Sequence, residues 1–513
     1  MKKEKTEKIK TKEKSSPKKK LNQKEENEEI YDKEIKITSF YYINKNKTKL
    51  SDLKNGRRIF QNKTEISEYD ENNIEFNKSF IEFRQLLFEN LLLKEDLTDN
   101  SKNERKTIES AIFSSFVYED DFLEPIINAF KLPSIIILHE ENNFKYNKME
   151  EHGNYIKFIR PKIDYSLKWG KFHSKLMIFK FPNFLRIIIP SANLTNCDWY
   201  YWGQVIWFQD FKKIENEDEI KDKKENKEFL DYLNSFMDTF MINKYKEKKI
   251  WSDLNINFED YDYSNCSVDL LASASGRFSN KNLSLFGIGR LNYLISEKYK
   301  IEKNSNLVIQ CSSIGKSKNK KFFSNLYKAF NLNDKYSIDI IYPTKEYINS
   351  FPMGNELTGC LFLTEETYNL HKEKFKNVEI KEKYKDRKTV FHSKIFITGD
   401  KKKGFFDINN NSLLYFGSHN FSAAAFGNLE KNDTQISMSN YELGIIFNPN
   451  KISLYEKKEI FNSLIINFSS KYYNKNDEPF ILILLKMINI LLYIFNLFIF
   501  ILFKNFFISF FLF

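Results

Sequence analysis

Phe172-His173-Ser174-Lys175 and Phe391-His392-Ser393-Lys394 are one tetrapeptide written twice, apart from its surroundings. Each copy is followed by a short apolar run and then a second polar signature. The first leads through Phe184-Leu185-Arg186-Ile187-Ile188-Ile189 to Ser191-Ala192-Asn193-Leu194-Thr195. The second leads through Leu413-Leu414-Tyr415-Phe416 to Ser418-His419-Asn420-Phe421-Ser422. The chain holds only six histidines, and two of them stand in this context. A lone His-x-Lys is a weak signal. A duplicated one, each copy backed by a strand and Ser-x-Asn, argues for two homologous halves, each giving one His, one Lys and one Asn to a shared site.

Working outward, the apolar runs Ala111–Phe116 and Ser134–Leu138 predict buried strands of a parallel sheet, with a helix opening near Asp120, Asp121 and Pro125. The first motif opens a strand His173–Phe179, and Arg186–Ile189 is the next. Upstream, Ile35–Tyr42 reads as a strand, and Ser79–Leu93 sets Phe80, Phe83, Leu87 and Leu91 on one helical face. A charge-dense linker at 211–227 leads to an amphipathic helix, Phe229–Met241. Gly276-Arg277-Phe278 reads as the crossover, after which the order repeats: strand Leu307–Cys311, helix Phe322–Phe330, strand Ile338–Tyr342, the second motif, and strand Leu413–Phe416. This alternation predicts an α/β architecture with two similar sheets, divided into domains at 34–277 and 278–480.

A chain of 513 residues has room for two or three domains. Hydrophobic content of 42% decides for a folded chain over a disordered one. Net charge of +11 favours a polyanionic partner, nucleic acid or an anionic membrane. Cys197, Cys266, Cys311 and Cys360 are scattered, which argues against a structural zinc site and a disulfide framework. Residues 1–33 are too poor in apolar residues to fold, and no signal peptide is expected there. Their Ser15-Ser16-Pro17-Lys18-Lys19-Lys20 cluster suits an import signal or a nucleic-acid-binding arm. Residues 481–513 form an apolar tail, in which Met487–Phe503 is an uncharged run close to the length of about 20 residues that spans a bilayer. It reads either as a tail anchor or as translated noncoding sequence.

Along a strand, alternate side chains share a face, so His173 and Lys175 are expected together, as are His392 and Lys394. A pocket between the halves would then hold two imidazoles, two ammonium groups and two carboxamides, a set suited to a phosphodiester. One imidazole can attack phosphorus to form a phosphohistidine, and the other can protonate the leaving oxygen and then activate water. Lys175, Lys394, Asn193 and Asn420 would donate to the non-bridging oxygens, so neither metal nor other cofactor is expected. Ser191 and Ser418 suit either helix capping or ligand contact. His419 is read as structural, and His139, His152 and His371, which lack repeat partners, as surface or core residues.

These residues resemble the phospholipase D superfamily, and within it the tyrosyl-DNA phosphodiesterase branch. The wider superfamily carries an Asp five positions after the motif lysine; here Lys180 and Gly399 stand there, as the branch's lack of that Asp requires. The resemblance extends through Leu185-Arg186, Asp198-Trp199, Gln204, Ile206-Trp207, Ser312-Ser313-Ile314-Gly315, Ile341-Tyr342-Pro343, Ser418–Phe426, Gly427, Leu429-Glu430-Lys431-Asn432, Thr434-Gln435 and Tyr441-Glu442-Leu443-Gly444, and covers roughly 35–480. It implies two α-β-α sandwich domains about a pseudo-twofold axis with the active site at their interface. It implies His173 as nucleophile, His392 as general acid and base, and Gln204 and Glu442 as the residues orienting the histidines, Glu442 favouring a charged imidazole. The implied substrate is a 3′-phosphotyrosyl DNA end, single- or double-stranded, left by a topoisomerase I and converted to a 3′-phosphate. Trp169 and Phe116 would stack on bases, and Ser313, Ser418 and Ser422 would contact DNA.

The resemblance further implies a nuclear monomer, while the apolar run of 481–513, read as a tail anchor, would add membrane attachment. Two features depart from the branch: a longer Lys401-Lys402-Lys403-Gly404 connection, and a closing segment that turns apolar after Asn476-Asp477-Glu478-Pro479-Phe480. The rival readings are a lipid-directed phospholipase D, which the tail would favour, and a non-catalytic DNA-binding relative.

Overall fold

The computed structural model describes residues 59–62, 80–81, 83, 86, 108–139, 148–152, 156–161, 163–167, 170–215, 227–240, 254–301, 306–315, 320–332, 338–402 and 405–481. The strand expected at Ile35–Tyr42, the basic N-terminal cluster, Trp169 and the Met487–Phe503 run lie outside the described residues. Among the described residues no helix is long and apolar enough to cross a membrane.

Nine strands build the first sheet: β1 (Ile59–Asn62), β2 (Phe80–Ile81), β3 (Ser110–Ser115), β4 (Ser134–Leu138), β5 (Lys148–His152), β6 (Ile156–Arg160), β7 (Leu176–Lys180), β8 (Phe184–Pro190) and β9 (Val205–Lys212). Their spatial order is β2-β1-β9-β8-β7-β3-β4-β6-β5. The second sheet takes β10 (Val268–Ser273), β12 (Asn306–Gln310), β13 (Ile338–Ile341), β14 (Phe375–Lys376), β15 (Ile395–Lys402), β17 (Leu414–Gly417) and β20 (Glu442–Phe447), in the order β10-β20-β17-β15-β12-β13-β14, with β16 (Phe405–Asp407) added on β15. Between the edge strands β2 and β5, the first order reads β1-β9-β8-β7-β3-β4-β6. It matches the second strand for strand. The strand after each motif, β7 or β15, lies between an antiparallel partner that follows it and the strand that opens the parallel part. A third, three-stranded sheet joins β11 (Gly276–Ser279), β19 (Gln435–Met438) and β18 (Asn428–Glu430).

The central strands are continuous apolar runs because both faces are covered. β3, β4 and β8 are buried along their whole length, as are β10, β13 and β20. The helix Glu228–Met237, predicted over 229–241, ties the halves together. Its Phe229 packs on Trp207 and Phe211 of β9, and its Tyr232 hydroxyl donates to the Leu285 carbonyl at 2.6 Å. The helix Asp120–Phe130 opens where the two acidic residues sit, as expected.

Several elements differ from the sequence expectation. Phe80–Ile81 is a strand rather than a first helical turn, pairing in parallel with β1. β5 and β6 were not expected, since Lys148-Met149-Glu150-Glu151-His152 carries no apolar run; as an edge strand it needs none. Gly276-Arg277-Phe278 is not the crossover but part of β11. Val268–Ser273, ahead of the expected boundary at 277, already pairs with β20 of the second sheet. By sheet membership the chain changes halves between Lys212 and Val268.

Candidate active site

Neither motif is regular strand, and the reason is where its backbone bonds go. The His173 N–H donates to the Tyr441 carbonyl at 2.9 Å, and the Tyr441 N–H to the Lys171 carbonyl at 2.8 Å. In the other half the His392 and Ser393 N–H groups both donate to the Gly203 carbonyl, at 2.9 and 3.1 Å, while the Gly203 N–H donates to Val390. Each motif is therefore stitched to the opposite half before its own strand starts, at Leu176 and Ile395 rather than at the histidines. Glycine suits position 203 because a Cβ would stand 2.5 Å from the Phe391 ring and force it to shift.

The side chains cross over in the same way. His173 Nδ1 lies 2.7 Å from Oε2 of Glu442, and His392 Nδ1 lies 2.8 Å from Oδ1 of Asp198. Each motif histidine thus meets a carboxylate from the half that does not supply it. Both carboxylates are themselves held. The Ser418 hydroxyl and the Asn440 amide donate to Glu442 at 2.5 and 2.9 Å. Asp198 accepts from Gln204 Nε2 at 2.8 Å, Thr195 Oγ1 at 2.9 Å and Asn193 Nδ2 at 3.1 Å. Gln204 Nε2 is also 3.3 Å from His392 Nδ1, but its shorter bond is to the carboxylate.

Asp198 is an addition to the sequence reading, which named only Gln204 and Glu442 as orienting the two histidines. Gln204 and Glu442 are indeed counterparts: the Ser191 hydroxyl donates to Gln204 at 2.6 Å just as Ser418 does to Glu442, and each serine accepts from the amide of the residue after that partner, Val205 or Leu443. Asp198 has no counterpart, because the residue equally far beyond Asn420 is Ala425. Repetition exposed what the halves share and concealed what only one of them has.

The lysines are fully buried and fold back on their own motifs: Lys175 Nζ donates to the His173 carbonyl at 2.8 Å, and Lys394 Nζ to that of His392. The asparagine carboxamide oxygens are turned away, Asn193 Oδ1 toward Ser115 and the Val117 N–H, both at 3.5 Å, and Asn420 Oδ1 toward the Ser313 N–H at 3.2 Å. That leaves their amide nitrogens as the donating ends. Aromatic rings flank the two imidazoles, Phe116 at 5.4 Å from His173 and Trp202 at 5.2 Å from His392. No sequence signal marked Trp202.

Burial dominates the protonation states. It lowers His173 to about 4 despite Glu442, and His392 to about 3, where the neighbouring Lys394 adds to the effect and Asp198 opposes it. Glu442 does favour the charged imidazole, as expected, but desolvation outweighs it. Burial also draws Lys175 down to about 7 and Lys394 to about 8. Burial by itself would raise both carboxyls, yet His173 and its hydrogen bond bring Glu442 to about 2, and His392 and Asn193 hold Asp198 well below the usual range. The neutral imidazoles therefore carry their proton on Nδ1, donated to a carboxylate, and keep a bare Nε2 lone pair. Among the described residues no group of three or more His, Cys, Asp or Glu is placed to hold a metal.

Of the expected DNA contacts, Phe116 lies at the site. Ser313 uses its N–H on Asn420, Ser418 is fully buried on Glu442 rather than capping a helix or meeting a ligand, and Ser422 caps the turn Ala423–Phe426. His419 is structural, buried between the Tyr415 and Ser273 hydroxyls. His371 stacks on Phe323 at 4.1 Å. His139, read as surface or core, is beside the first motif, its Nδ1 accepting the Phe172 N–H at 3.2 Å.

The sequence model of the tyrosyl-DNA phosphodiesterase family matches residues 90–483, a span that includes both motifs. Tyrosyl-DNA phosphodiesterase 1 of Arabidopsis thaliana is 28% identical over 368 residues, covering 67% of this chain; the chain spans 57% of that relative's length. The crystal structure of the yeast tyrosyl-DNA phosphodiesterase superposes with a TM-score of 0.54 at 16% identity, covering 74% of this chain and 94% of the yeast one. A mutant form of the yeast enzyme gives 0.56 at 15% identity, covering 83% and 99%. At such identity these structures speak for the fold alone.

Proposed function

The chain belongs to the tyrosyl-DNA phosphodiesterase family, and from that premise we propose that it is a DNA-repair phosphodiesterase hydrolysing the bond between a tyrosine and a 3′-phosphate at a DNA end. The observation that carries this reading is the pair of imidazoles, each fixed at Nδ1 by a carboxylate and each keeping Nε2 for chemistry. His173 Nε2 attacks phosphorus. The P–Nε2 bond forms as the P–O bond to tyrosine breaks, and the phenolate oxygen takes its proton from His392. Water then gives a proton to His392 and its oxygen to phosphorus, releasing a 3′-phosphate and a free His173.

His392 must be protonated for the first step, and the bound phosphate's negative charge, with Asp198 at its back, favours the imidazolium that burial disfavours in the empty pocket. Lys175, Lys394 and the amides of Asn193 and Asn420 neutralise charge developing on the phosphoryl oxygens. Tyrosine is the fitting partner because its phenol, with a pKa of about 10, leaves more readily than a sugar hydroxyl. The remnant of a topoisomerase I is the source of such an end, and the nucleus the place for it. The working unit is a monomer, since both halves of the site come from one chain; its two domains are flanked by 1–33 and 481–513.

Purified protein is expected to release tyrosine from a 3′-phosphotyrosyl oligonucleotide and to leave phosphatidylcholine intact. His392→Ala should accumulate DNA covalently joined through His173, seen as a retarded band on a denaturing gel that His173→Ala abolishes. Cleavage of the lipid alone, or DNA binding without cleavage, would overturn the reading.

A further inference from the structure

His139 directly follows β4, and its ring is set by the motif backbone. Its Nδ1 accepts the Phe172 N–H at 3.2 Å. A backbone amide can only donate, so Nδ1 is bare and the proton of the neutral ring sits on Nε2. The ring is neutral at physiological pH, since burial, helped by Lys171 and His173, lowers it to about 4. Its Nε2 is 3.5 Å from Lys171 Nζ. An ammonium has no lone pair, so neither group can accept from the other. Two donors therefore converge on one space, and among the described residues no acceptor occupies it.

An anion satisfies both donors and the ammonium's charge as well. The position says which one. The Phe116 ring lies 5.2 Å from His139 and 5.4 Å from His173, with Lys171 and Lys175 at 5.6 and 5.9 Å from its centroid. The donor pair thus stands on the nucleophile's side of the pocket. In an in-line displacement the attacking nitrogen and the departing tyrosine oxygen lie on opposite sides of phosphorus. The peptide accordingly leaves toward His392, and an anion beside His173 belongs to the DNA.

Resting on the function proposed above, we infer that His139 Nε2 and Lys171 Nζ bind the phosphate next to the scissile one on its 5′ side, with Phe116 packing against the nucleoside between them. The pair would set the enzyme to prefer a strand over a single nucleotide.

The experiment compares a thymidine 3′-(nitrophenyl phosphate), which has no second phosphate, with a dinucleotide carrying the same leaving group. A third substrate replaces the dinucleotide's internal phosphate by a neutral methylphosphonate. Unmutated protein should lose about tenfold in kcat/KM on the methylphosphonate, the scale of one charge-assisted hydrogen-bond pair. Lys171→Ala and His139→Asn should lower the ratio of dinucleotide to nucleoside kcat/KM by a similar factor; the Asn oxygen can still accept the Phe172 N–H. Neither variant should lose further with the methylphosphonate. Indifference of the unmutated protein to the methylphosphonate needs no variant to fold, and would overturn the subsite while leaving the function standing. Losses that multiply, or equal losses on both substrates, would do the same. Failure of the unmutated protein on every substrate would overturn the function and the subsite together.

Discussion

Asp198→Asn isolates the residue that orients the proposed acid and base. Asp198 is fully buried, and its Oδ1 sits 2.8 Å from His392 Nδ1. At that separation an imidazolium and a carboxylate attract by about 6 kcal/mol at an effective dielectric of about 20. The amide keeps a hydrogen bond in its place, so a net loss of about 3–4 kcal/mol, or roughly 10²–10³ in rate, is expected. The loss should depend on the leaving group. A tyrosine oxygen needs the proton of His392, whereas a nitrophenol departs without it. With a nitrophenyl substrate the variant should give a burst of one product per enzyme and then stall, because the second step still needs His392 as base. With a tyrosyl substrate the burst itself should slow. Rapid-mix product release and adduct counting on denaturing gels measure both. A variant with more than about a third of normal turnover and no accumulated adduct would refute the assignment. So would equal loss on the two leaving groups.

Adduct formation in His392→Ala should follow His173 alone on the acid side. The neutral ring is the nucleophile and burial holds it at about 4, so the single-turnover rate should stay level down to that pH and fall below it; half-loss near 6.5 would contradict the burial argument. On the alkaline side the rate should fall from about 7 to 8 as Lys175 and Lys394 lose their protons. Arg186→Met tests a structural pair away from the pocket: the buried guanidinium meets Asp210 at 2.7 and 2.8 Å, and breaking it should cost about 3 kcal/mol in urea unfolding with turnover per folded molecule retained. Gly203→Ala should drive a methyl into Phe391 and displace the carbonyl that holds His392, costing about 1–3 kcal/mol of stability by overpacking and at least tenfold in turnover, read by thermal melting and steady-state assay.

Repetition made the site legible. His173, Lys175, Asn193 and their second-half partners announced themselves because two halves under one chemical demand keep the same residues at the same spacing. Buried strands were legible for a related reason: β4 is an unbroken apolar run because both its faces are covered. What escaped notice lacked one of these two signals. β5 is a polar edge, Trp202 touches His392 from a loop with no repeat, and Asp198 faces Ala425 across the duplication. Glu442 and its pull toward a charged His173 were legible from its surroundings, but the larger opposing effect of burial was not, because charge pairing is local while desolvation depends on everything packed around the ring. Ser418 shows the same limit: sequence offers a hydroxyl, and only the fold says that a carboxylate has already taken it.

The exchange of carboxylates between the halves has a consequence for a chain still being made. A ribosome that has delivered the first sheet has produced a histidine, a lysine and an asparagine, yet Glu442 and the Tyr441 carbonyl that hold His173 have not been synthesised. The proposed nucleophile then lacks both of these bonds, and the proposed acid, His392, has not been made either. On the proposed mechanism, chemical competence therefore arrives only with β20, the last strand of the second sheet, so a copy that stops before Glu442 does not join DNA through a well-aimed His173.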